Sequence, residues 1–189
     1  MTKQALRKRY KEMRQGLTFL QKEKLEDLLL IKFQKYEIES PKVILSYRPF
    51  GRYNEFDPHL IERFCGFTNP EVVIGYPVID KDVFHIVAAD ENTTFTDNVF
   101  GIEEPSAGYE LDAQEIDIVI VPLLAFDLKG YRVGYGKGYY DRFLKLCRQD
   151  VVKAGFSFFA PEQLIDDIDQ HDIPLDVCFT PEQTYTFLN

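Results

Sequence analysis

The sequence predicts an α/β domain built on a mainly parallel sheet. Three observations point there. Strand-like and helix-like segments alternate along the chain. One strand, "DIVIVP" at 117–122, is apolar at almost every position, as in strands covered on both faces. A glycine-rich turn, "RVGYGKGYYD" at 132–141, then separates that strand from a helix. The 189 residues suffice for one domain with a sizeable core, so 1–189 is read as a single domain.

Each element has its own signal. Residues 3–15 read as a helix. Thr18, with Gln21 three residues on, has the pattern of a capping box opening a second helix through Tyr36, apolar at Leu25, Leu28, Leu29 and Phe33. "KVILSY" (42–47) is a short β-branched strand. Asp57-Pro58 places an N-cap before a proline at the first helical position, and the helix that follows is expected to end at Gly66. "EVVIGYPVI" and "VFHIVAA" are strands around a turn at Asp80-Lys81-Asp82, and 90–115 reads as loop. "YYDRFLKLCRQ" (139–149) has helical spacing, with Tyr140, Phe143, Leu144 and Cys147 facing inward. "VKAGFSF" and "DVCFT" are late strands. This order puts helices on both faces of the sheet, a Rossmann-like three-layer arrangement.

Composition narrows the class. Hydrophobics at 45% and charged residues at 28% are ordinary for a globular domain. The longest apolar runs fall short of a membrane span. The start, "MTKQALRKRYKEMRQ", lacks an apolar signal core and runs straight into a patterned helix. Cys65, Cys147 and Cys178 lie far apart with no CxxC, which suggests reduced thiols in a cytoplasmic protein rather than a disulfide framework or zinc site. The net charge of −9 argues against nucleic acid as a partner. Residues 1–14 nevertheless carry Lys3, Arg7, Lys8, Arg9, Lys11 and Arg14 against Glu12 alone. Such a helix can be a solvated face, a nucleic-acid arm or a device for an anionic small ligand.

Ligands of open α/β sheets bind beyond the carboxyl ends of strands, where "AFDLKGYRVGYGKG" lies. Gly134, Gly136 and Gly138 permit positive φ and close backbone approach. The start of the next helix adds further unsatisfied N–H groups. Arg132 and Lys137 add charges for phosphate, and Asp141 offers the hard oxygen that suits Mg²⁺ carried in with phosphates. The segment is neither a Walker A loop nor GxGxxG, because Gly138 follows Lys137 and the spacing breaks at Tyr139. Taken alone, a phosphate cradle and a tight strand–helix connection both fit.

The ordered set "RVGYGKGYYD", "VPLLAFDLKG", "GIEEP" and "HDIPLD", with "KQALRKRY" and "NEFDPHLIE", resembles the 5-formyltetrahydrofolate cyclo-ligase family from about residue 3 to 180. The resemblance implies an ATP- and Mg²⁺-dependent C–N ligase that converts 5-formyltetrahydrofolate to 5,10-methenyltetrahydrofolate, releasing ADP and phosphate. Lys3, Arg7 and the run Arg132, Val133, Gly134, Tyr135, Gly136, Lys137, Gly138, Tyr139 and Tyr140 match the family's ATP contacts. Arg132 and Lys137 are the charges expected to act in catalysis. Leu45, Glu55 and Tyr135 through Tyr139 match folate-contacting positions, and Asp141 and Asp172 match the magnesium positions. Tyr139 or Phe56 could stack on the pterin. His171 is read as a structural neighbour of Asp172. Leu123 stands where many members carry glycine, and "RPFGRY" is longer than in compact members. The expected partners are ATP and the folate, without membrane or nucleic acid, and the expected state is a monomer. Three rivals remain: a sugar-phosphate isomerase or CoA-transferase-like enzyme, a non-catalytic folate or nucleotide module, and a nucleic-acid binder using the basic helix.

Overall fold

The computed structural model describes residues 1–36, 38, 41–80, 83–90, 92–99 and 101–187. Helices α1 (Lys3–Gln15) and α2 (Phe19–Gln34) open the chain, followed by β1 (Val43–Leu45), α3 (His59–Thr68), β2 (Val73–Asp80) and β3 (Val83–Ala89). Then come β4 (Phe95–Asp97), β5 (Glu103–Pro105), β6 (Ile118–Val121), β7 (Ala125–Phe126), β8 (Arg132–Val133) and α4 (Tyr139–Leu144), and finally β9 (Val152–Phe156), β10 (Val177–Phe179) and β11 (Thr184–Thr186).

Seven strands form one sheet in the order β11-β10-β9-β6-β1-β2-β3. The five inner strands run parallel, and the edges β3 and β11 are antiparallel to their neighbours. The central strand β6 is buried at all four positions. Its pleat sends Ile118 and Ile120 to the face covered by α2 and α3, where Leu29, Phe33, Ile61 and Cys65 pack. Val119 and Val121 go to the opposite face, with Phe143 and Leu144 of α4. This is the expected α/β arrangement, with helices on both faces. Strand order reverses between β1 and β6, because β1 leads outward to β2 and β6 leads the other way to β9 and β10. That reversal opens a crevice at the carboxyl ends of β1 and β6. Helix α1 packs Leu6 and Tyr10 against Leu124, Ala125 and Val133, thereby covering the loops at that end.

Local signals hold where the cause is local. Thr18 and Gln21 form the capping box of α2. At α3 the start lies one residue later than expected, with Pro58 as the N-cap and His59 first, and Asp57 accepts the His59 amide at 3.0 Å. Several expectations need correction. Helix α3 runs through Gly66 to Thr68, since Gly66 does not adopt the left-handed conformation by which a glycine ends a helix. Helix α4 ends at Leu144 rather than at 149. The Leu146 amide closes a tight turn on the Phe143 carbonyl (2.8 Å), and Arg148 pairs with Asp117 at 2.8 Å, drawing the chain to the foot of β6. The stretch 90–115 contains the β4–β5 hairpin and a 3-10 turn at Ala113–Glu115. Lys81 and Asp82 of the expected turn lie outside the described residues.

The β7–β8 hairpin escaped the sequence reading and sets the glycine loop. Asp127 at its turn is fully buried. One carboxylate oxygen accepts the amides of Lys129 and Tyr131, both at 3.0 Å, and the other accepts that of Ile165 at 3.1 Å. Gly130 completes the turn at φ 84°, where a Cβ would lie 2.8 Å from the Phe187 ring.

Candidate active site

The glycine loop leaves β8 with Val133 buried, so only the backbone of that residue can face a ligand. Arg7 of α1 reaches it, and its Nε donates to the Gly134 carbonyl at 2.9 Å. Gly136 (φ 95°) lies under that guanidinium, and a Cβ there would approach Arg7 to 3.3 Å. Gly138 (φ 65°) turns the chain into α4. The glycines thus serve both a turn and a close approach. Gly136, Lys137 and Gly138 are exposed, and the Lys137 ammonium makes no hydrogen bond or ion pair among the described residues. Arg142 donates to the Lys137 carbonyl at 3.1 Å and covers the Tyr139 ring at 5.1 Å.

The basic and acidic candidates meet in pairs. Arg132 is largely buried; its guanidinium donates to Asp141 Oδ1 at 2.8 Å and to the Ile173 carbonyl. The Ile173 amide also donates to Asp141 Oδ1, at 3.1 Å. Next along the chain, Asp172 accepts from the Lys3 ammonium and from the Asp169 amide at 2.7 Å. Lys3, Arg7, Arg132, Asp141 and Asp172 therefore converge on the loop from both ends of the chain. His171 is exposed beside Lys145 at 3.3 Å.

Glu55 lies across the crevice, after β1, and is only 3% exposed. Tyr135 of the glycine loop donates to its Oε1 at 2.8 Å, and the Phe50 amide donates to Oε2 at 2.7 Å. Burial pushes this carboxyl above its ordinary range, while Arg14, the Phe50 amide and Tyr135 pull it back. Burial, then the charge of Glu55, pushes the Tyr135 phenol up as well. An aromatic wall of Phe50, Tyr53 and Tyr135 lines this side, with Tyr53 stacked on Tyr135 at 6.0 Å. Lys11 lies 4.4 Å from the Tyr53 ring centre and Arg52 4.5 Å from that of Phe50.

Residues 1–181 match the sequence model of the 5-formyltetrahydrofolate cyclo-ligase family. The chain belongs to that family. Among its relatives, the 5-formyltetrahydrofolate cyclo-ligase of Mycoplasma pneumoniae is 29% identical over 96% of this chain and 100% of its own length. That of Mycoplasma genitalium is 27% identical over 93% and 97%. The solution structure of Aquifex aeolicus 5,10-methenyltetrahydrofolate synthetase superposes with a TM-score of 0.81 at 29% identity, covering 100% of this chain and 94% of that one. A Mycoplasma pneumoniae 5,10-methenyltetrahydrofolate synthetase structure gives 0.73 at 26%, covering 95% and 98%.

Other positions that the cyclo-ligase resemblance assigned stand differently. Leu45 is fully buried at the end of β1, packed with Val119, Val121 and Phe143, so its side chain supports the crevice floor. Phe56 is corrected: it is 1% exposed and stacked on Phe156 at 4.6 Å in the core, out of reach of a pterin. Tyr140 turns inward, edge-on to Phe84 at 5.3 Å, with a buried hydroxyl that has no partner among the described residues. Leu123 packs above Gly155, where a Cβ would come within 2.6 Å of it, so the neighbouring strand makes room for the leucine side chain.

Asp141 and Asp172 are drawn together at the loop, since the amide of Ile173, next to Asp172, donates to Asp141. Asp141 Oδ2 and Asp172 Oδ1 carry no hydrogen bond among the described residues, and no group of three potential ligands surrounds them there. Mg²⁺ held by one or two carboxylates, water and substrate phosphate needs no fuller cage. The sequence reading missed Arg14, Phe50 and Tyr53. For Arg14 a signal existed: Lys3, Arg7 and Arg14 follow one another at four and seven residues, hence on one face of α1.

Proposed function

We propose that this chain closes 5-formyltetrahydrofolate to 5,10-methenyltetrahydrofolate in a reaction that consumes ATP, with the glycine loop holding the nucleotide and the Glu55 side holding the folate. The closure is the activity for which its family is named. The observation that carries the two-sided reading is the hydrogen bond from Tyr135 to Glu55: a residue of the glycine loop touches the carboxylate assigned to the pterin, so two ligands in these places would meet.

The chemistry follows from the substrate. The N5 formyl group is an amide and a poor electrophile, and N10 is a weak nucleophile. Attack of the formyl oxygen on the γ-phosphorus releases ADP and makes that oxygen a leaving group. N10 then bonds to the activated carbon and loses its proton, and phosphate departs with the former formyl oxygen. Phosphoryl transfer asks mainly for positioning and charge neutralisation. Arg132 and the loop amides would hold the phosphates, Lys137 would follow the transferred group, and Lys3 and Arg7 would close over it from α1. Magnesium on Asp141 and Asp172 would neutralise polyphosphate charge. Glu55 would accept from pterin N–H donors, with Tyr53 and Tyr135 as the apolar wall.

The test mixes protein, ATP, Mg²⁺ and 5-formyltetrahydrofolate and follows the near-ultraviolet absorbance of the methenyl product. Product formation with one ADP released per turnover is expected. ATP consumed without folate, or neither change, would overturn the proposal and return the isomerase-like or non-catalytic readings.

A further inference from the structure

Arg14 is the one residue of the basic helix whose charge is turned wholly inward. It sits in the last turn of α1 and is 1% exposed. A guanidinium in such a place normally has all its donors satisfied, because burying an unpaired charge is costly. Here Nη2 donates to the Leu123 carbonyl, while Nε and Nη1 have no partner in good hydrogen-bond geometry among the described residues, the Tyr135 hydroxyl being the side-chain group that faces this guanidinium beside Glu55. The acid nearest to Nη1 is Glu55, with Oε1 at 4.0 Å. The end of α1 also holds the Glu55 segment through the backbone. Asn54, in a left-handed conformation at φ 46°, donates to the Arg14 carbonyl at 3.0 Å and to that of Leu17 at 3.3 Å.

We propose that Arg14 is a positioning residue for folate recognition, holding the Glu55 carboxyl from the end of α1 and aiming it into the crevice so that it can accept from the pterin. This rests on the reading of Glu55 as the folate carboxylate. Glu55 is faced by Arg14 from α1, Tyr135 from the glycine loop, Tyr47 after β1, Tyr140 from α4 and Lys22 from α2. Lys22 is already paired with Glu26 at 2.6 Å. Arg14 is thus the cation available to Glu55, and it is buried where solvent screens it least. A neutral carboxyl would present one donor and would no longer suit two pterin donors. Arg14 also bonds the carbonyl of Leu123, just past β6, so one side chain ties the carboxylate to the strand end that leads to the glycine loop.

The test compares Arg14→Gln, Glu55→Gln and the double variant by steady-state kinetics over a range of pH. Glutamine can still donate to the Leu123 carbonyl. In Arg14→Gln, Glu55 takes up a proton at higher pH than in the parent. The KM for 5-formyltetrahydrofolate should therefore rise about tenfold near neutrality and recover as pH is raised, while the KM for ATP moves little. The double variant should be no worse than Glu55→Gln alone, since Arg14 acts through Glu55. A raised folate KM that is flat with pH, equal losses for both substrates, or additive losses would overturn the proposal. A normal folate KM in Glu55→Gln would instead remove the Glu55 reading, and with it the role of Arg14. Should Arg14→Gln not fold, Arg14→Lys keeps the charge: its folate KM should follow the pH dependence of the parent, and a steeper rise towards low pH would overturn the proposal.

Discussion

Lys137 has a loop built around it and, among the described residues, no partner for its charge. In the proposed phosphate cradle, an exposed cation at the tip would act on charge that moves during transfer, so its loss should fall on the transition state. Lys137→Ala is expected to lower kcat by about 10²–10³-fold with a melting temperature close to that of the parent. Turnover within a fewfold of normal would leave "GYGKGYYD" as a structural turn. Arg7 differs, because it spans two elements through the Gly134 carbonyl. Arg7→Ala should raise the KM for ATP, the loss of a charge-assisted contact of roughly 1.5–3 kcal/mol; an unchanged KM would return α1 to the role of a solvated face. At this scale the sequence showed which residue types gather at the loop, because glycines, cations and an acid within ten positions constrain each other locally. It did not show that Arg14 is buried, since that depends on Leu123 and Glu55 arriving from distant segments.

Among the elements, β1 shows how a short strand of three residues is kept in place. Asp117, just before β6, accepts the amides of Lys42 at 2.6 Å and Val43 at 2.9 Å, and pairs with Arg148 after α4. Burial alone would raise its pKa, but the two amides and Arg148 outweigh it and hold the carboxyl below the usual range. A lowered native pKa means that the stabilisation is present above the unfolded-state pKa and is lost as pH falls through the native one. Asp117→Asn should therefore be less stable than the parent at neutral pH by urea denaturation, and the gap should close as pH drops below about 4. A gap that stays constant into acid would show that the carboxylate charge is not what holds β1. Legibility at this scale followed the range of the cause. The capping box of α2 was readable because Thr18 and Gln21 satisfy each other within one turn. The two- and three-residue strands β7, β8 and β11 were not, because they are too short to show a period and form only when a partner strand arrives. Helix α4 was overextended in the sequence reading because helical spacing continues to Cys147, while Arg148 answers to Asp117 far upstream.

For the whole molecule, the parallel sheet was legible because β6 is apolar on both sides, and the site was placed beyond the carboxyl end of that strand; the strand order, which turns back there, depends on long-range pairing that the sequence does not display. The three-dimensional arrangement adds how α1 and the segment around Asp172, far apart in the chain, meet at that loop: Lys3 pairs with Asp172 and its amide donates to Asp167. The pairing found there has a consequence for how ligands arrive. Lys3 with Asp172, and Arg132 with Asp141, make the cations proposed for ATP and the carboxylates proposed for magnesium one another's counter-ions. Free ATP would take the cations and leave two carboxylates facing its own negative charge, whereas the magnesium complex offers every group a new partner in one exchange. Nucleotide and metal should therefore behave as a single ligand, each tightening the other's binding by a factor on the order of ten. Calorimetric titration of ATP, in chelator and then in excess magnesium, measures that factor directly. Asp141→Asn should narrow it, since the neutral amide no longer repels metal-free nucleotide. Equal ATP affinity with and without magnesium in the parent protein would mean that the two exchanges are independent.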